Sequence, residues 1–229
     1  NDIPTTAGAY HELFTGGNAD GFVAKLNSDL TSILSCTYIG GSSFGVYDYE
    51  EIKAIDLDAS GNVFVAGITA ANDFPTTTGA YNTFFNGGNN DAFISKLSND
   101  LTSLLASTYI GGTEEEEARA IKIGADGVII TGWTKSPNFP TTPGAYDVSF
   151  NQPFSFEASD AFISKLALDL TSLSVSTFIG GYYSSESINA IALNSSGDIF
   201  IAGYSSTPGN IQPQNNYPTT PGAHSEVIN

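Results

Sequence analysis

The chain has 229 residues, 24 acidic against 7 basic side chains, a formal net charge of −17 and a hydrophobic share of 41%. This balance argues against nucleic-acid binding and against docking on an anionic membrane, because both need clustered Lys and Arg. One cysteine excludes an intrachain disulfide, and no apolar run approaches the ~18 residues of a membrane-spanning helix. The charge favours solubility, and cation uptake wherever carboxylates converge. With no methionine and no signal peptide, the sequence reads as a processed product or an excerpt from a longer chain.

In chain order, Pro4-Thr-Thr-Ala-Gly-Ala begins as a rigid extended lead-in, since proline fixes its own backbone and restrains the residue before it. Phe22, Ala24 and Leu26 alternate with Val23 and Lys25, which predicts a strand. Asn27 to Ser32 is a turn in which Asp29 can bond the backbone ahead of it. Ile33 to Ile39, β-branched or aromatic at most positions, is a second strand, ended by Gly40-Gly41. Residues 42–51 form a loop, Ile52 to Leu57 a third strand, Asp58 to Gly61 a tight turn, and Asn62 to Thr69 a fourth strand. Gly67 lies inside that last strand, where glycine implies a close approach, read here as tight sheet-to-sheet packing. A long polar loop leads onward, and no helical period of useful length appears.

The whole pattern then recurs. Asp-Ala-Phe-Ile-Ser-Lys-Leu stands at 91–97 and 160–166, with Asp-Gly-Phe-Val-Ala-Lys-Leu at 20–26. Pro-Thr-Thr-x-Gly-Ala begins at Pro4, Pro75, Pro140 and Pro218. Three repeats follow, at about 3–73, 74–138 and 139–216, with a partial fourth loop at 217–229, all in one segment spanning 1–229. Four antiparallel strands per ~70-residue repeat predict an all-β fold of propeller blades. A trefoil barrel also has three repeats, but its repeats are usually shorter. Three blades do not close a ring, so a partial propeller is expected, completed by further repeats of a longer chain or by other copies. Phe22, Phe93 and Phe162 should be equivalent buried positions, as should Ile39, Ile110 and Ile179.

The repeated Asp-Ala-Phe-Ile-Ser-Lys-Leu, Ser-Thr-Tyr-Ile-Gly-Gly, Ala-Ile-x-Leu-x-x-Ser-Gly-Asn-Val-Phe-Val-Ala-Gly and Asp-Phe-Pro-Thr-Thr-x-Gly-Ala-Tyr resemble the SBBP repeat, the "seven-bladed β-propeller" repeat of large secreted and surface proteins of bacteria and archaea. The resemblance covers almost the whole chain. It implies a propeller fold and an extracellular or cell-surface setting, and carries no catalytic motif. Ala54 to Gly67 is also similar to the start of an NHL-type blade. That likeness implies Ile52–Leu57 as innermost strand and Asn62–Thr69 as second, with the Phe22–Leu26 type third and the Ile33–Ile39 type outermost.

Four groups of residues are candidates for chemistry. The acidic loop holds Asp48, Glu50 and Glu51, then Glu114, Glu115, Glu116 and Glu117, then Glu186. These are calcium candidates by charge, but calcium wants six to eight converging oxygens and neighbours in an extended chain diverge, so a solvated acidic rim is the favoured reading. Asp56-x-Asp58-x-x-Gly61-Asn62 superficially resembles a calcium loop but reads as a hairpin turn. Asp20, Asp91 and Asp160 precede each Phe strand, and Lys25, Lys96 and Lys165 follow five residues later. They read as repeat-structural positions, an edge charge with a snorkelling lysine or a pairing that orders the long loop. Gly67, Gly132 and Gly203 are likewise structural. The long loop keeps the aromatic pairs Tyr10 and Phe14, Tyr81 and Phe85, Tyr146 and Phe150, which suit either stacking on sugars or pinning the loop to its sheet.

Cys36 aligns with Ser107 and Ser176 and reads as a replacement within a strand, while His11 and His224 lack metal-ligand spacing. The sequence therefore points to a non-enzymatic extracellular structural or interaction module of a larger surface, filament or adhesin protein. The alternative is a carbohydrate-binding propeller with calcium as its candidate cofactor. In either case the long loops and the acidic loops should lie on one face.

Overall fold

The computed structural model describes residues 3–42, 49–151, 158–182, 184–206 and 218–224, and the described residues form strands and loops without a helix. The strands are β1 (Gly21–Leu26), β2 (Ile33–Ile39), β3 (Glu50–Leu57), β4 (Val63–Thr69), β5 (Asp91–Leu97), β6 (Leu104–Ile110), β7 (Glu116–Ile123), β8 (Val128–Thr134), β9 (Asp160–Leu166), β10 (Leu173–Ile179), β11 (Ser185–Leu193) and β12 (Ile199–Ser206). They make four antiparallel sheets, ordered β1-β2, β3-β4-β5-β6, β7-β8-β9-β10 and β11-β12.

Each four-stranded sheet straddles two sequence repeats. β3 and β4 come from one repeat, and β5 and β6 from the next, joined across the long loop with Gly67 opposite Phe93. The second sheet copies this register, with Gly132 opposite Phe162. The strand order from first to last is the expected one, but the third and fourth strands belong to the following repeat. As a result β1-β2 is a hairpin of the third-and-fourth type, and β11-β12 one of the first-and-second type.

The two complete sheets hold the core. Phe74 lies against Phe93 with ring centroids 4.4 Å apart, and Phe139 against Phe162 at 4.6 Å. Both strand phenylalanines are fully buried, each worth about 1.5–3 kcal/mol. The expectation of equal burial fails at the ends. Phe22 is 49% exposed and Ile179 is half-buried, whereas Phe93, Phe162, Ile39 and Ile110 are fully buried. Phe22 lacks the glycine-bearing strand that covers its equivalents.

The long loop turns out to be an edge cover. Thr77 N–H donates to Ser107 O (3.1 Å), Ser107 N–H to Thr77 Oγ1 (3.0 Å) and Tyr109 N–H to Asn82 O (3.1 Å). Thr6 on Cys36 and Thr142 on Ser176 repeat the first contact. Pro-Thr-Thr thus occupies the outer edge of the sheet, where an open row of backbone groups invites unwanted pairing. The same loop then reaches the next sheet: Tyr10 N–H donates to Leu101 O (2.9 Å) and Tyr81 N–H to Leu170 O (2.8 Å). Leu101 and Leu170 adopt left-handed φ of 61° and 58°, rare for leucine, within turns that Leu30 shares at 56°.

One further reading is corrected, and that of Cys36 as a replacement within a strand holds. Gly67, Gly132 and Gly203 serve packing within one sheet, not between sheets. Each faces a β-bulge of the first strand, and an added Cβ would overlap the carbonyl oxygen of Glu51, Glu117 or Ser187. Cys36 is buried opposite Ala24, where the other repeats place hydroxyl pairs, Ser95 with Ser107 and Ser164 with Ser176, each at 2.8 Å. Replacing both hydroxyls leaves no orphaned polar atom.

Candidate functional site

The long loop, the end of β6 and the start of β7 meet at one end of the first complete sheet. Pairing of Thr69 with Asp91, and of Glu116 with Thr134, brings the long loop and the acidic loop to that same end. Three of the acidic residues are not part of a solvated rim there, whereas Glu51 and Glu114 are exposed. Glu50, Glu116 and Glu186 are buried at the foot of β3, β7 and β11. Their backbone N–H groups donate to Ala19 O (2.8 Å), Asn90 O (3.1 Å) and Ser159 O (2.8 Å). Their Oε1 atoms accept from Thr69 (2.9 Å), Thr134 (2.6 Å) and Ser205 (2.6 Å) hydroxyls.

Next to each glutamate lies the repeated aspartate. Asp20, Asp91 and Asp160 accept the backbone N–H of Thr15 (2.6 Å), Asn86 (2.6 Å) and Asn151 (2.8 Å). The aspartate therefore orders the long loop, as one sequence reading had it, but without its lysine. Lys96 pairs instead with Asp58 (3.2 Å) and Lys165 with Asp126 (2.6 Å), both in turns of the neighbouring strand pair. Lys25 rests on Asn99.

The best-defined pair is Asp91 with Glu116. Both point at Gly111, where a Cβ would lie 2.8 Å from Asp91 Oδ1 and 2.5 Å from Glu116 Oε2. Only a glycine leaves room for the two carboxyls. Glu116 Oε2 accepts the Gly112 N–H (3.0 Å), and no donor among the described residues reaches Asp91 Oδ1. Burial pushes Asp91 up to about 7 and Glu116 up to about 8, the charge of Asp91 adding to the latter, while the hydrogen bonds pull both the other way. Burial likewise raises Glu186. Near neutral pH the Asp91–Glu116 pair therefore retains a proton that an unfolded chain has released.

The remaining acidic candidates diverge. Glu51 pairs with Lys53, Glu115 with Lys135 (2.8 Å) and Glu117 with Arg119 (3.1 Å), while Glu114 is exposed. Asp48 lies outside the described residues. Among the described residues no group of three or more acidic, histidine or cysteine side chains is placed to hold a metal ion. Asp58 Oδ1 caps its own turn, accepting the Ser60 and Asn62 N–H groups at 2.9 Å, as the hairpin reading requires.

Above Gly111 and Gly112 opens a cleft of about 490 Å³, lined also by Tyr81, Asn82, Asn86, Thr113, Asn138 and Pro140. Its wall is amide-rich and uncharged. Among the loop aromatics, Phe14, Phe85 and Phe150 sit edge-on to Tyr38 (6.1 Å), Tyr109 (6.2 Å) and Phe178 (5.9 Å), which pins the loop. Tyr10 and Tyr81 are half-buried, but Tyr146 is 71% exposed.

Two features escaped the sequence reading. The three glutamates, each named as a candidate, stand 9, 4 and 5 residues beyond their Gly-Gly, so the irregular loop hid their shared position. Counted back from Thr69, Thr134 and Ser205, the separations are 19, 18 and 19, and the repeat becomes visible. The bulge residues Lys53, Arg119 and Asn189 form a chain between the first strands, Lys53 to Glu117 at 3.9 Å and Arg119 Nη1 to Asn189 Oδ1 at 3.1 Å. Their signal was a polar residue breaking the apolar alternation of each strand. No protein-family model and no curated protein matches the chain.

Proposed function

We propose that this chain is a non-enzymatic structural or interaction module of a larger extracellular surface, filament or adhesin protein, and that its sheets are propeller blades of the SBBP-repeat type. The observation that carries this reading is the assembly of each complete sheet across a repeat boundary. A unit that borrows half of its sheet from its neighbour gains stability by repetition, as a structural array does. The buried carboxyls support the same reading, because each hydrogen-bonds backbone or neighbouring hydroxyls at the junction between sheets rather than facing a substrate cavity. A tandem chain, residues 1–217 followed directly by residues 4–229, tests it. Its melting temperature should exceed that of the single chain by several degrees, and an unchanged or lower value would count against a repeat-stabilised module.

A carbohydrate-binding role is the second reading, favoured by the amide-lined cleft beside Tyr81. Labelled glycans, titrated with and without a chelator, separate the two. Saturable binding that is lost in an Asn82→Ala, Asn138→Ala variant would establish the lectin reading.

A further inference from the structure

We infer that β12 of one copy pairs with β1 of a second copy, completing a four-stranded sheet across two molecules; the inference rests on the module reading above and names its partner. The two end hairpins are complementary halves. β11-β12 corresponds to β3-β4 and β7-β8, and β1-β2 corresponds to β5-β6 and β9-β10. Among the described residues no strand pairs with the outer side of β12 or of β1.

Exposure marks both halves of the contact. Leu26 and Leu30 are 46% and 77% exposed, whereas their equivalents Leu97, Leu166, Leu101 and Leu170 are all fully buried. Across the contact, Phe200 is 59% exposed where Phe64 is fully buried. Beside β1 a groove of about 390 Å³ is lined by Val23, Lys25, Ile55, Leu57, Val63 and Leu101. Ile55 on its wall is 56% exposed, against 6% for the equivalent Ile121 that the preceding sheet covers. The groove is where the first two strands of a completed sheet would stand.

Three further features match as well. The register of the internal sheets, carried over, sets Gly203 opposite Phe22 and Phe200 opposite Lys25. Gly203 already faces the bulge of β11, so it is shaped like Gly67 and Gly132 for a completed sheet. The turn between first and second strands supplies a carboxylate to the incoming lysine in both complete sheets, Asp58 to Lys96 and Asp126 to Lys165. The β11–β12 turn keeps one too, Asp198, held by Asn194 (2.7 Å), and the incoming lysine is Lys25. Finally, Leu30 holds the same left-handed φ, 56°, as the two leucines that accept a tyrosine N–H from the preceding loop. The preceding loop in the joined molecule is that of Tyr146, the tyrosine left exposed.

The test uses the whole chain with Cys36→Ala, so that no native thiol interferes. Copies carrying Phe200→Cys are mixed with copies carrying Lys25→Cys and oxidised. A disulfide-linked species of twice the 24.0 kDa chain mass should form in the mixture and in neither variant alone, because the contact is head-to-tail. Light scattering on the chain without added cysteines should show mass rising with concentration. Asp198→Lys should lower that association at least tenfold, and Lys25→Asp in the same chain should restore it. A single-chain mass at all concentrations, with no cross-linked species, would overturn the inference. The tandem chain described above would still report on the module reading, since its halves are joined covalently.

Discussion

Replacing Glu116 by Gln removes the proton-binding partner of the Asp91–Glu116 pair while keeping its shape. In the folded chain both carboxyls titrate well above the unfolded values of 3.8 and 4.5, at about 7 and about 8. A raised folded pKa means that the fold binds protons more tightly than the unfolded chain. The stabilisation is complete below about pH 4 and is lost as pH rises through about 7 to 8. Each proton retained by the fold and released on unfolding makes stability fall by about 1.4 kcal/mol per pH unit, so the two carboxyls together give about twice that slope below pH 7 and one of them gives it between about 7 and 8. Urea unfolding at pH 5, 6, 7 and 8, followed by the fluorescence of Trp133, the sole tryptophan, measures the slope. The wild-type chain should be most stable at pH 5 and lose stability steadily towards pH 8. Glu116→Gln should cost about 1 kcal/mol at pH 5, where a hydrogen bond is weakened, and should lose roughly one proton's worth of slope. Equal slopes in both proteins, or a wild type more stable at pH 8 than at pH 5, would refute the account of two carboxyls raised by burial.

The other expectations follow from packing. Gly132→Ala sets a methyl group against the Glu117 backbone carbonyl and should destabilise by about 1–3 kcal/mol in urea unfolding, unlike Gly144→Ala, which has open space around it but a φ of +83° and should cost less. Phe162→Ala should cost about 3–5 kcal/mol, and Phe22→Ala clearly less in dilute solution, because only the first is fully buried. Cys36→Ser alone buries an unpartnered hydroxyl and should destabilise by about 1–3 kcal/mol; adding Ala24→Ser should recover most of that loss, since it rebuilds the Ser95–Ser107 type of pair. A double-mutant cycle with no coupling would contradict that assignment.

Sequence alone determined the local structure. Alternation of Phe22, Ala24 and Leu26, β-branched runs such as Ile33 to Ile39, and turns such as Asp58 to Gly61 are dictated by neighbours within a few residues, so all four strand types and the equivalence of repeats were legible. The chain partners of those strands were not. Pairing β4 with β5 depends on which long loop folds back, and sequence spacing alone does not choose between a strand of the same repeat and one of the next. For the same reason Gly67 could be seen to demand a close approach, while the bulge of β3 that makes the approach could not. Composition likewise counted the carboxylates but could not say that Glu50, Glu116 and Glu186 are drawn inside while Glu114 stays out. Burial is decided by where strands meet in space, and the unequal loops between Gly-Gly and each glutamate hid the shared position. Phe22 and Phe93 occupy equivalent places in the repeat, yet one is half-exposed and the other buried, because a side chain's environment is set by the strand beside it and only the tertiary structure supplies or withholds that strand.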